Sequence, residues 1–134
     1  MNTFHLEIVT PDGMKFDGEA QSLLVRTDMG DVEIMAGHAD FVGAIAIGRT
    51  RIKYADGTER FASASGGFLT VNREGAKLVA TTFEFAGEID LNRAKEAAER
   101  ANHAIETAND ERTIRVAKAK LSRATNRINV ASLK

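Results

Sequence analysis

Glycine stops at residue 87. Ten of the eleven glycines lie within residues 1–86, the eleventh is Gly87, and none follows. Glycine supplies positive φ for tight turns and weakens a helix by about 1 kcal/mol relative to alanine. The first segment is therefore built for short elements with frequent reversals, and the second is free to be helical. The aromatics divide at the same place, since all seven Phe and the single Tyr precede Ala86.

The hydrophobic period changes there too. Phe4, Leu6 and Ile8 alternate with His5, Glu7 and Val9, the period of two that turns one face of a strand inward, and Pro11-Asp12-Gly13 supplies turn chemistry. Further strands are predicted at 14–18, 22–27, 31–35, 42–47, 49–54, 59–64, 67–72 and 77–83. They are punctuated by Asp28-Met29-Gly30, Ala36-Gly37, Asp56-Gly57 and Glu74-Gly75. Asp56-Gly57 predicts a hairpin closed by a tight primed turn, because both residues tolerate positive φ. Many short strands with frequent turns mean a β-sandwich or barrel.

Beyond Gly87 the period is helical. Asp90 is placed to cap a helix whose residues 94, 97, 98, 101, 105 and 108 form a narrow apolar stripe. Asn109-Asp110 breaks it. A second helix then sets Ile114, Ala117, Leu121, Ala124 and Ile128 three and four residues apart, a seam of alternating large and small side chains. Small residues on both stripes let two helices approach closely, and the short break favours an antiparallel hairpin.

Composition narrows the function. The chain lacks cysteine, which excludes a disulfide framework, a thiolate metal site and a cysteine nucleophile. The three histidines, His5, His38 and His103, are too scattered for a paired ligand motif. No run approaches the roughly 20 apolar residues of a membrane span, and the start carries no secretory pattern, so a cytoplasmic origin is expected. The net charge of −1 argues against a general nucleic-acid binder, but it conceals a difference between the two segments. Residues 1–86 carry eight Lys/Arg against twelve Asp/Glu, and residues 87–134 carry ten against seven. From Glu111 onward there are seven basic residues and one acid, which invites an anionic partner or an acidic docking surface.

Familiar catalytic patterns fail on context. Gly43–Thr50 reads GAIAIGRT, one substitution from the phosphate-loop pattern, with Arg49 in place of lysine. That loop must open a helix so that backbone amides meet phosphate, whereas here the run continues into strand-like residues. Ser63, Ser65 and Gly66-Gly67 suggest a nucleophile turn, yet no helix follows, and a tight β-connection is the better reading. His38 stands in a loop with no pocket to serve and reads as a packing or interface residue. No catalytic constellation and no metal site emerges.

The arginines of the hairpin carry more. Asp90, Arg93, Ala97 and Arg100 share one face of the first helix, and Arg123 and Arg127 share one face of the second. If the chain reverses at Asn109-Asp110, Arg93 lies opposite residue 126, and Arg100 is offset from Arg123 by about one turn, ~5 Å. A closed hairpin thus gathers four guanidinium groups suited to bidentate anion recognition. A solvated charged face is the alternative. It suits Arg100, which has Glu96 four residues before it, but Arg123 and Arg127 have no nearby acid on their own helix.

Taken in order, Ile8-Val9-Thr10-Pro11, Ile34 with Gly37-His38-Ala39, Gly66-Gly67-Phe68-Leu69-Thr70-Val71, and Ile89-Asp90 with Arg93-Ala94 resemble the epsilon subunits of bacterial F-type ATP synthases. The resemblance covers essentially the whole chain. Ala36 and Asp40 depart from it where prolines are common, and Glu33 where glycine is frequent. It implies an α+β chain: a ten-stranded β-sandwich over 1–86, docking to the gamma subunit and the membrane c-ring, then an antiparallel two-helix hairpin over 87–134. It implies a non-catalytic central-stalk subunit, peripheral on the cytoplasmic face of the bacterial membrane and not inserted in it. Such a subunit couples proton-driven rotation to ATP synthesis, and its hairpin, when extended to the catalytic alpha/beta hexamer, restrains ATP hydrolysis. No cofactor is implied beyond ATP as a regulatory ligand of the folded hairpin. The residues matching that site are Glu84, Ile89, Asp90, Arg93, Ala94, Arg100, Arg123 and Arg127. In that reading Arg100, Arg123 and Arg127 meet the phosphates, Asp90 and Glu84 accept from the adenine amino group or ribose, and Ile89 and Ala94 wall the base.

Read from residues alone, two other classes stay open. A stand-alone adaptor would grip an acidic protein through the basic hairpin, and an RNA-binding module would set the second helix on phosphates. The RNA reading wants stacking aromatics, and residues 86–134 have none.

Overall fold

A computed structural model describes residues 2–134. Seven strands come first: β1 (Phe4–Thr10), β2 (Gly13–Thr27), β3 (Gly30–Met35), β4 (Phe41–Ala44), β5 (Gly48–Tyr54), β6 (Glu59–Asn72) and β7 (Gly75–Phe85). A 3-10 turn at Ala86–Glu88 leads into helices α1 (Leu91–Thr107) and α2 (Glu111–Ala131).

The strand count differs from the sequence reading because long strands bend rather than end. The predicted segments 14–18 and 22–27 are one strand, β2, and 59–64 and 67–72 are one strand, β6. β2 pairs with β1 up to Ala20, and beyond a register shift at Ala20/Ser22 it lies between β3 and β5. β6 pairs with β5 through Ala64 and with β4 from Phe68, while β7 follows it along its length. β7 in turn pairs with β1, in parallel, only over Ala76–Val79. Divided where their partners change, β2, β6 and β7 each contribute to both layers of a sandwich. One layer runs β3, β2, β5, β6, β7, and the other runs β4, β6, β7, β1, β2. Counted as straight segments, the ten-stranded β-sandwich is what these ladders form.

Gly66 and Gly67 make the bend in β6 and are not the separate connection expected of them. Both have positive φ, +73 and +96, and Gly66 is skipped between the Ser65–Thr82 and Gly67–Ala80 pairs. No residue is inserted there, since both strands advance two positions between those pairs, so β6 kinks at the two glycines while its register with β7 stays the same on either side. The 56–57 hairpin forms between β5 and β6, but its turn is not of the primed type. Only Gly57 has positive φ, and Asp56 works through its carboxylate, which accepts the Thr58 backbone N–H at 2.9 Å. The Thr58 hydroxyl, at 2.7 Å, and that backbone N–H hold the Asp56 carboxyl below its ordinary pKa. The GAIAIGRT run contains no helix: Ala44 ends β4, Ile45 bridges to Thr27, and Gly48 opens β5. Glu33, the departure noted above, forms an ion pair with Arg51 on the outer face.

The main core lies between the layers. Leu6, Ile8, Leu23, Ile52, Leu69 and Leu78 are wholly buried there, and each comes from the inward face of its strand. Both helix caps form. The Asp90 carboxylate accepts the Arg93 N–H at 3.1 Å, and Asp110 accepts the Thr113 N–H at 2.6 Å. These bonds satisfy helix-start donors that have no intrahelical partner, and the Thr113 bond holds the Asp110 carboxyl below its ordinary pKa. Ala94, Ala101, Ala117 and Ala124 are buried at the helix–helix seam, as the small-residue stripes predict.

Candidate functional site: a basic cleft under the helical hairpin

The hairpin is folded down. α1 packs on α2, and α2 rests on β5, β6 and the 86–88 turn. A small apolar cluster of Ala86, Ile89, Val130 and Ala131, flanked by Phe61, closes the base of this contact. The rest of the attachment is polar. Asn126 Nδ2 donates to the Gly48 carbonyl at 3.0 Å and to Ser63 Oγ at 2.8 Å. Arg127 donates to both carboxylate oxygens of Glu84, from Nε at 2.6 Å and from an Nη at 3.2 Å.

Above that latch a cleft of about 750 Å³ opens between hairpin and sandwich. Its floor is polar because β6 and β7 bring hydroxyls together: Ser63 is paired with Glu84, and Ser65 with Thr82. The Ser65 and Thr82 hydroxyls are bonded to each other at 2.6 Å. Its helical walls present alanines for close approach, among them Ala97, Ala101 and Ala104. Five cations line it, Arg100 from α1 and Arg112, Lys120, Arg123 and Arg127 from α2, against the single acid Glu84. Among the described residues only Arg127 of these five forms an ion pair. The Glu96–Arg100 pair expected along α1 is not among the ion pairs formed. No group of three or more potential metal ligands occurs among the described residues.

The predicted site residues separate into two sets. Glu84, Arg100, Arg123 and Arg127 line the cleft; Ile89, Asp90, Arg93 and Ala94 are not among its lining residues. Ile89 belongs to the docking cluster, Asp90 caps α1 through Arg93's backbone N–H, and Ala94 is wholly buried in the hairpin. The expected gathering of four guanidiniums also needs correction, since Arg93 is not among the cleft residues. Arg127 has an acid after all, on a strand 43 residues earlier in the chain, where the composition of its own helix gave no hint. With Arg127 bound to it, Glu84 already has both oxygens engaged. Sequence reasoning missed Arg112 and Lys120. The spacing of Lys120, Arg123 and Arg127, three and then four residues, was the signal available for Lys120.

Charge-assisted hydrogen bonds contribute about 1.5–3 kcal/mol each, so the Arg127–Glu84 pair should dominate the latch. With labels at Thr125 on α2 and Lys77 on the sandwich, fluorescence transfer reads the hairpin's position, and the cysteine-free chain makes labelling through introduced cysteines unambiguous. Glu84→Ala is expected to raise the ratio of open to closed forms by about tenfold or more, and Asn126→Ala by several-fold. Unchanged transfer in both variants would show that these bonds do not hold the hairpin down.

Comparison with known proteins gives this architecture its place. The family described as ATP synthase, Delta/Epsilon chain, beta-sandwich domain, matches residues 3–86, and its long alpha-helix domain matches residues 88–132. The ATP synthase epsilon chains of Staphylococcus aureus strains JH9 and N315 are each 39% identical over 135 residues, covering all of both chains. The fold is similar to a chain in the cryo-EM structure of the Euglena gracilis mitochondrial ATP synthase OSCP/F1/c-ring, with a TM-score of 0.83 at 23% identity, over 98% of this chain and 82% of that one. A chain of the Tetrahymena thermophila mitochondrial ATP synthase central stalk and c-ring is similar with a TM-score of 0.67 at 11% identity, over 97% of each. A sandwich and a two-helix hairpin, each matched in order and at full length by relatives of one kind, leave one assignment: the chain belongs to the ATP synthase delta/epsilon family, as an epsilon subunit of the F-type enzyme.

Proposed function

We propose that the chain is a non-catalytic central-stalk subunit of a proton-translocating F-type ATP synthase, and that its hairpin restrains ATP hydrolysis under the control of bound ATP. The observation that carries the regulatory part is the way the hairpin is seated: among the described residues, few apolar side chains, one ion pair and one asparagine hold it over a cleft whose remaining cations form no ion pair. The sandwich docks to the gamma subunit and the membrane c-ring, and the released hairpin reaches the catalytic alpha/beta hexamer. Among the described residues no helix is long and apolar enough to cross a membrane, and attachment to the cytoplasmic face of the membrane is peripheral.

The physical logic is a population shift. Unpaired Arg100, Lys120 and Arg123 repel one another across the cleft and favour opening, whereas a polyphosphate neutralises them. ATP then stabilises the closed form by its differential affinity for it. Millimolar nucleotide keeps the inhibitor folded, and depletion releases it. The base-side residues Ile89, Asp90, Arg93 and Ala94 join the site when the first turn of α1 shifts to admit adenine.

Calorimetric titration of the isolated chain with ATP tests this. Binding is expected at or below millimolar nucleotide; Arg123→Ala is expected to weaken it by about tenfold or more, the worth of one charge-assisted contact, and Arg127→Ala to weaken it by removing the Glu84 pair that holds the closed form. No heat at millimolar ATP, or unchanged affinity in both variants, would reject the regulatory site and leave the family assignment standing.

A further inference from the structure

The cleft is electrically lopsided along its length. At one end the cationic Arg127 is already matched by Glu84, so that end is close to neutral and offers a carboxylate, which a phosphate avoids. Toward the α1–α2 turn the lining cations Arg100, Arg112, Lys120 and Arg123 have no acid among the cleft residues to oppose them. Reversal between Thr107 and Glu111 sets Arg100 of α1 level with residues 118–119 of α2, by the antiparallel register. Lys120 therefore lies within about 3 Å of Arg100's level along the axis, and it stands roughly one turn from Arg123, about 4.5 Å along the axis. Arg112 lies about 12 Å beyond Lys120 by the same rise. The strongest positive potential thus falls on the Arg100–Lys120–Arg123 group, well away from Glu84.

We infer that Lys120 is the residue that reads the length of the phosphate chain, distinguishing a nucleoside triphosphate from a diphosphate. This deepens the regulatory reading above and rests on it. The neutral end of the cleft takes the nucleoside, the phosphates extend toward the α1–α2 turn, and the terminal phosphate, which carries the most charge, reaches the ammonium of Lys120. A diphosphate in the same orientation stops at Arg123. Lysine suits this post because its three donors sit on a flexible stem and meet a phosphate as a point charge, with no planar geometry to satisfy. Arg112 is too distant to bond that phosphate and adds only to the field, which salt screens.

The test compares the native chain with Lys120→Met, which keeps the length of the stem and removes the charge at an exposed position. Affinities are measured calorimetrically for ATP, ADP, inorganic tripolyphosphate and pyrophosphate. The expected result is a loss of about tenfold for ATP, with ADP changed less than about twofold, and losses for both tripolyphosphate and pyrophosphate, which carry no nucleoside to hold them back from Lys120. Arg112→Ala should weaken all four ligands alike, by an amount that fades as salt is raised. Equal losses for ATP and ADP in Lys120→Met would overturn the inference, as would no loss for either nucleotide. If the native chain binds tripolyphosphate but not ATP, the nucleotide reading fails and the inference falls with it. If it binds neither, both readings fall.

Discussion

A chain ending after Gly87 is expected to fold, to join the enzyme, and to leave ATP hydrolysis unrestrained. The main core takes every one of its buried residues from positions 6–85, and no helix residue belongs to it. The helices reach the sandwich through a separate cluster of four residues, of which Ile89, Val130 and Ala131 would be lost. Cutting there uncovers Phe61 and the hydroxyl-lined floor of the cleft, a modest apolar loss beside the intact interior. The cut must not come earlier. Phe83 and Phe85 stack edge to face at 5.2 Å, the Arg60 guanidinium lies 3.7 Å above the Phe85 ring, and Ser63 pairs with Glu84. Circular dichroism reports folding of the truncated chain, and ATP hydrolysis by the reconstituted complex reports its regulation. An unfolded truncated chain would show that the segments are not separable, and full restraint of hydrolysis would show that the helices are not the brake.

Gly67→Ala should be among the most damaging single substitutions in the sandwich. A Cβ at Gly67 would stand 1.8 Å from the Val79 carbonyl oxygen and 3.0 Å from Ala80 Cα, and the φ of +96 is one that side chains rarely adopt. The obstructing atoms are backbone, so no rotamer change relieves them, and β6 and β7 must separate where both pass between layers. We expect a loss of about 3–5 kcal/mol, in the range reserved for strain and overpacking at special backbone sites. Against a typical total of about 5–15 kcal/mol, that removes much of the stability of the fold. Gly57→Ala is the control: its φ is +90, but no atom lies within 4 Å of a Cβ there, so it should cost far less. Denaturant midpoints compare the two, and equal midpoints would reject the steric argument.

Much of the architecture was legible in the residues because its causes are local. The alternation of Leu6 and Ile8 with polar neighbours, the caps Asp90 and Asp110, and the small-residue seam from Ala94 to Ala124 depend on neighbours within a few positions. What misled the strand reading was also local. A glycine pair inside a run of alternating residues carries the same signal whether the chain reverses or bends, and only the partner strand distinguishes them. The Gly66-Gly67 bend in β6 is decided by the β7 backbone, which approaches Gly67 at Val79 and Ala80.

The site divides in the same way. Helical spacing alone brings Arg123 and Arg127 to one face, and the break at Asn109-Asp110 alone brings Arg100 to their side. Periodicity and capping are properties of a few consecutive residues, so the sequence by itself determined that a sandwich gives way to a basic hairpin at Gly87. Where the hairpin rests was decided only by the tertiary structure. The Arg127–Glu84 pair and the two bonds of Asn126 join residues 43, 63 and 78 positions apart. Contacts so distant in the chain leave no periodic trace, because their geometry exists only after both layers of the sandwich have closed and set Gly48, Ser63 and Glu84 on one surface.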